Sequence, residues 1–147
     1  MGRSKMQRYL NGLLANYFVL YIKLYRYKYY VKGKQFYAYR MFFEELQEAV
    51  MTEIDTLTSY IVSINGRPFC TMEKFLKETS LEEATADDEL AEMMHQLIHD
   101  FTKMKREVFD QGMKEADAIN DIMTKQVLVE RVIFMQAQIT TCLTFDK

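Results

Sequence analysis

The chain has 147 residues, a formal net charge of −2, 49% hydrophobic residues, 5 Gly, 1 Pro and 2 Cys. That length suits one domain, residues 1–147, with a sizeable core, and the shortage of turn formers leaves material mainly for long helices. Cys70 and Cys142 lie far apart, which excludes a zinc-finger spacing or a disulfide framework and makes a reducing, cytoplasmic setting the expectation.

The first residues, 1–8, read as a short basic tail carrying Arg3, Lys5 and Arg8. The apolar run at 13–22 superficially mimics a secretory signal, but Asn16 interrupts it, Lys23 and Arg26 follow, and no small-residue cleavage site comes after. The run is too short to span a bilayer, so it reads as a buried helix face and no membrane partner is expected. A first long helix is predicted over about residues 6–31, with Leu10, Leu13, Leu14, Tyr17, Leu20, Tyr21 and Leu24 on one stripe. Gly33 breaks it. A second is predicted over about residues 35–64, its seam formed by Phe43, Leu46, Val50, Ile54, Leu57, Ile61 and Ile64.

Asn65-Gly66-Arg67-Pro68 reads as a helix stop, with Gly66 available for the left-handed position and Pro68 blocking continuation. Thr71 can cap a short helix over Met72–Lys77. A third long helix carries Leu90, Met94, Leu97, Phe101, Met104 and Val108 up to about Gly112, and a fourth follows Asp117 or Asn120 with Ile122, Val129, Val132, Ile133, Met135 and Ile139. Two long helices, a crossover holding a short one, and two more long helices define an all-α four-helix bundle with one long crossover. No Gly-rich phosphate loop, nucleophile–base arrangement or dinucleotide motif is present.

Charge is unevenly spread. Residues 1–43 hold nine basic and no acidic residues, whereas 44–147 hold ten basic and all 21 acidic ones. Because Lys23 to Arg40 interleave with tyrosines on a packed helix, pairing of basic and acidic segments across helices and subunits is favoured over a nucleic-acid footprint. Tyr25, Tyr27, Tyr29 and Tyr30 read first as packing residues, with base stacking or radical trapping as alternatives.

Lys28-Tyr29-Tyr30-Val31-Lys32-Gly33, Tyr39-Arg40, Glu44, Ile54-Asp55 and Ile64-Asn65-Gly66-Arg67-Pro68 together resemble the two signature segments of the Dps family, the mini-ferritins of starved bacterial cells. Thr71–Leu76 and Ser80–Ala84 resemble the family's crossover. The resemblance covers roughly residues 10–140 and implies a ferritin-like bundle with a short helix in the second-to-third crossover. It further implies a dodecameric homo-oligomeric cage, iron(II) oxidation between subunits, iron storage and sequence-independent DNA association.

The family's first segment carries two histidines, and its second an Asp with a Glu four residues later. Here the histidine positions hold Lys28 and Arg40, the Glu position holds Ser59, and Asp55 is retained. The resemblance places the ligand positions at Tyr25, Arg40, Asp55 and Ser59, with the acidic signature at Glu44. Iron(II) oxidation wants imidazole and carboxylate donors, and arginine offers a metal no lone pair. On a helix, Arg40, Glu44, Glu48, Asp55 and Ser59 fall within a sector about 100° wide, away from the apolar seam. An Arg40–Asp55 ion pair across a subunit interface is therefore expected in place of the metal bridge.

The remaining candidates are weaker. Glu92, His95 and His99 could hold a metal on the third long helix, with the pair read first as solvated. Iron at such non-standard positions, or at Asp55, Glu44 and Glu48, defines the alternative of a working mini-ferritin with a rearranged site. A helical interaction module without metal is the third reading. The resemblance places Asp117 and Asp121 at a threefold pore, although both residues also suit a helix N-terminus. Arg3, Lys5 and Arg8 are the only tail residues for DNA, since the chain ends Thr144-Phe145-Asp146-Lys147.

Overall fold

The computed structural model describes residues 2–84 and 89–145. Thr85, Ala86 and Asp87 of the expected lead into the third long helix, and the terminal Asp146 and Lys147, lie outside the described residues. Among the described residues six α-helices appear in chain order: α1 Gly2–Tyr30, α2 Phe36–Ser63, α3 Met72–Glu78, α4 Leu90–Glu107, α5 Met113–Ala118 and α6 Ile122–Phe145. A π-helical turn, Val108–Gly112, joins α4 to α5.

Local chemistry sets the breaks. Gly33 adopts φ 110°, a left-handed conformation that a side chain would disfavour, and this lets α2 start beside the end of α1. At the end of α2 the left-handed residue is Asn65, with φ 64°, and not Gly66. Gly66 N donates to Ile61 O at 2.8 Å and Asn65 N to Val62 O at 3.0 Å, the paired bonds of a Schellman stop. Gly66 matters instead for approach, because a Cβ there would lie 2.8 Å from Ile61 Cγ2. Thr71 caps α3 as expected, its hydroxyl accepting from Lys74 N at 3.3 Å.

The core follows the stripes of the first three long helices. Leu10, Leu14, Leu20, Leu24, Phe43, Val50, Leu57, Ile61, Leu97, Phe101 and Met104 are all fully buried. Burying a side chain of that size stabilises the fold by roughly 1.5–3 kcal/mol relative to exposure. The expected face of α6 is corrected. Ile122, Val129 and Ile133 point outward, Ile122 being 80% exposed, while Thr124, Leu128, Arg131, Met135, Ile139 and Cys142 face the core. That helix is apolar on both sides, so its hydrophobic residues did not mark one buried stripe.

Residues 2–8, expected as a tail, are the first turns of α1, and Met6 is buried there. The third helical pattern does not end at Gly112, because the chain continues through the π turn into α5. Gly112 is needed for contact: a Cβ would lie 2.5 Å from Tyr9 Cε2 and 2.8 Å from Tyr9 Cζ. Gly112→Ala is expected to cost about 1–3 kcal/mol through overpacking, read as a lower thermal midpoint. Among the described residues no helix is long and apolar enough to cross a membrane.

Candidate functional site

Glu44, Glu48, Asp55 and Ser59 are exposed on α2 and Arg40 is half-buried, so the polar stripe faces away from the bundle core as its spacing predicts. Arg40 does not stand alone. Its guanidinium carbon lies 5.0 Å from the Tyr29 ring centroid, and Tyr29 meets Tyr25 edge-on at 5.2 Å. Lys28 Nζ lies 5.3 Å from the Tyr25 ring and 5.2 Å from the Tyr29 ring. The α1–α2 turn thus gathers Tyr25, Lys28 and Arg40 into one cluster of cations on aromatic faces, a contact worth about 0.5–1 kcal/mol per exposed pair.

Asp55 and Ser59 sit one turn apart on the same helix, but Asp55 follows Arg40 by fifteen residues. At 1.5 Å per residue that is about 22 Å along the helix axis. One chain therefore cannot bring Arg40 to Asp55, and a contact between these positions requires a second copy.

The other acidic and imidazole candidates lie on α4, on α5 and in the turn before α6. His95 and His99 are exposed on α4, and Glu92 Oε1 accepts from Gln96 Nε2 at 3.5 Å. Among the described residues no group of three or more His, Cys, Asp or Glu could hold a metal ion. Asp121 caps α6: its Oδ1 accepts from Thr124 N at 2.9 Å and its Oδ2 from the Thr124 hydroxyl at 2.6 Å. Asp117 is 60% exposed and pairs with Lys125 at 2.6 Å. Asp121→Ala is expected to cost about 1 kcal/mol as a lost cap, measured by urea unfolding, whatever further part a pore gives it. Arg3, Lys5 and Arg8 are exposed on the first turns of α1, with Arg3 Nη2 donating to Ile64 O at 3.4 Å.

Two buried ion pairs that the helix pattern does not itself predict cross the bundle. Arg131 Nη1 of α6 lies 3.2 Å from Glu53 Oε2 of α2, with both side chains under a tenth exposed. The Tyr17 hydroxyl donates to the same carboxylate at 3.5 Å. Burial raises the Glu53 pKa while Arg131 pulls it down, and burial followed by the Glu53 charge pushes the Tyr17 phenol well up. Lys23 Nζ of α1 meets Asp100 Oδ2 of α4 at 2.8 Å, with both side chains almost fully buried. Burial likewise raises the Asp100 pKa against the pull of Lys23. A signal existed for both pairs. Lys23 stands three after Leu20 and four before Tyr27, and Asp100 stands three after Leu97 and four before Met104. Glu53 stands three after Val50 and four before Leu57, and Arg131 stands three after Leu128 and four before Met135, so each interrupts a core stripe with opposite charge.

A crossover network completes the interior. Asn16 Oδ1 accepts from the Thr79 hydroxyl at 2.6 Å and from Ser80 N at 2.9 Å, while the Ser80 hydroxyl donates to Glu107 Oε1 at 2.8 Å. These bonds tie the segment after α3 to α1 and α4 and hold the crossover against the bundle.

The helix order and crossover define a ferritin-like protein, and the family model for the ferritin-like domain matches residues 7–139. A Dps crystal structure from Bacillus brevis is similar at a TM-score of 0.94 and 29% identity, covering 99% of this chain and 97% of that one. The DNA protection during starvation protein of Brevibacillus brevis is 37% identical over 115 residues, 74% of this chain and 77% of the relative. General stress protein 20U of Bacillus subtilis is 36% identical over 120 residues, 82% of each chain. The chain belongs to the Dps family of ferritin-like proteins.

Proposed function

We propose that this protein is a Dps-like mini-ferritin subunit that assembles into a homo-oligomeric, dodecameric cage and lacks the family's usual inter-subunit iron-oxidising site. The donor set carries the reading: Asp55 is the one retained ligand, with Tyr25, Arg40 and Ser59 at the other ligand positions and Lys28 at the remaining signature histidine, so no imidazole and one carboxylate are offered. The guanidinium of Arg40 takes the place of the metal by pairing with Asp55 of a neighbouring copy through two parallel hydrogen bonds. Any iron is cargo held at other carboxylates, with Glu44 and Glu48 as exposed candidates.

Two apolar surfaces support assembly. A groove of about 500 Å³ between α1 and α3 is lined by Phe18, Ile22, Tyr25, Met72 and Leu76. The outer face of α6 exposes Ile122, Met123, Val129, Ile133 and Leu143. Contiguous apolar surface of this kind marks interfaces, and a cage would cover it.

Iron(II) oxidation by hydrogen peroxide, followed by absorbance, tests the reading. Oxidation no faster than in buffer supports it; clear acceleration by the wild type contradicts it. Light scattering separates an assembled cage from a monomeric module. A second activity, sequence-independent DNA association, is supported by the exposed Arg3, Lys5 and Arg8, since a cage repeats each weak phosphate contact many times. Retardation in a gel shift at low salt, lost as salt rises, is the expected result.

A further inference from the structure

The buried Lys23–Asp100 pair has a neighbour at the surface. His99 Nδ1 stands 3.7 Å from Asp100 Oδ1, and the His99 side chain is 75% exposed while that of Asp100 is 5% exposed. Lys23 Nζ, 2.8 Å from Asp100 Oδ2, holds the carboxylate from inside the bundle. A carboxylate fixed behind one imidazole nitrogen favours the proton on that nitrogen and leaves the other with its lone pair facing solvent. His95 stands one turn earlier on the same exposed face of α4. Side chains four apart on a helix have Cβ atoms about 5–6 Å apart, the spacing with which helical histidine pairs grip one ion.

We propose that His95 and His99 form a two-imidazole site on the outside of α4 for a late first-row divalent ion, Cu²⁺ or Zn²⁺, with water completing the coordination. Imidazole donors bind both ions more tightly than iron(II), so this site is separate from any iron the cage carries. Asp100 acts as a positioning residue: it orients His99 and does not reach the ion. Glu92, one turn before His95, adds negative charge on the same side. No bond is made or broken beyond coordination.

The test is titration of the assembled wild-type protein with Cu²⁺, followed by electron paramagnetic resonance, and with Zn²⁺ by calorimetry. Wild type is expected to take up about one ion per chain, and His95→Ala and His99→Ala are each expected to weaken binding at least about tenfold. Both side chains are exposed, so unchanged circular dichroism and melting will show the fold intact. Nitrogen-15 NMR of the metal-free protein is expected to show His99 protonated at Nδ1. No uptake by the wild type, unchanged affinity in either variant, or His99 protonated at Nε2 would overturn the proposal.

Discussion

Arg131→Met is expected to lower the unfolding free energy by about 3–5 kcal/mol at neutral pH, because it strands the Glu53 carboxylate inside the bundle. The two groups meet at 3.2 Å, and no other basic side chain pairs with Glu53 among the described residues. The pair itself is imperfect, since Arg131 Nε is buried without a hydrogen-bond partner among the described residues. Replacing both partners with apolar residues, Glu53→Leu with Arg131→Met, is therefore expected to return stability close to wild type, which distinguishes a stranded charge from simple loss of packing. The pH dependence has a definite sign. Burial already raises the Glu53 carboxyl above its ordinary 4.5, and losing Arg131 removes the main downward pull. The folded variant then holds a proton more tightly than the unfolded chain. Its deficit shrinks as pH falls from the raised folded value toward the ordinary one, and returns as pH rises through that window. Urea unfolding across this range, at one protomer concentration, measures both effects.

The second large effect is chemical. Lys28→His, Arg40→His and Ser59→Glu, with Asp55 retained, are expected to speed iron(II) oxidation by peroxide at least about tenfold over wild type. Together they restore both signature histidines and the Glu position beside the retained Asp55, giving imidazole and carboxylate donors where one carboxylate remains. All three changed positions lie outside the fully buried core, so the bundle is expected to tolerate them. Arg40→His alone is expected to give no acceleration and to weaken assembly, because it removes the bridge without completing a metal site. An inactive triple variant that assembles normally would mean the two segments do not face each other between subunits.

Much of the architecture was legible because α2 and α4 each bury one side. Phe43, Val50, Leu57 and Ile61 recur at helical spacing, and all are buried. The polar stripe of α2 was legible for the same reason, since Glu44, Asp55 and Ser59 avoid that seam. Other features were not legible. Apolar residues on both faces of α6 left its register open, so Ile133 looked like core although it is 63% exposed. The residues expected as a tail fold because Met6 buries and Arg3 reaches the end of α2, contacts that depend on tertiary structure and not on local pattern. Lys23 and Asp100 each break a core stripe, as Glu53 and Arg131 do, but the stripes alone do not say which charges meet. The α2 stripe stops at the edge of one chain: its residues show what the surface offers, and the proposed Arg40–Asp55 contact needs a neighbouring copy.

Anomalous scattering from an iron-soaked crystal of the assembled protein examines that contact directly. An Arg40–Asp55 bridge predicts a guanidinium of one subunit laid against the carboxylate of the next, with no iron peak between them. An iron peak on Asp55, or the two side chains of neighbouring subunits pointing apart, would contradict it.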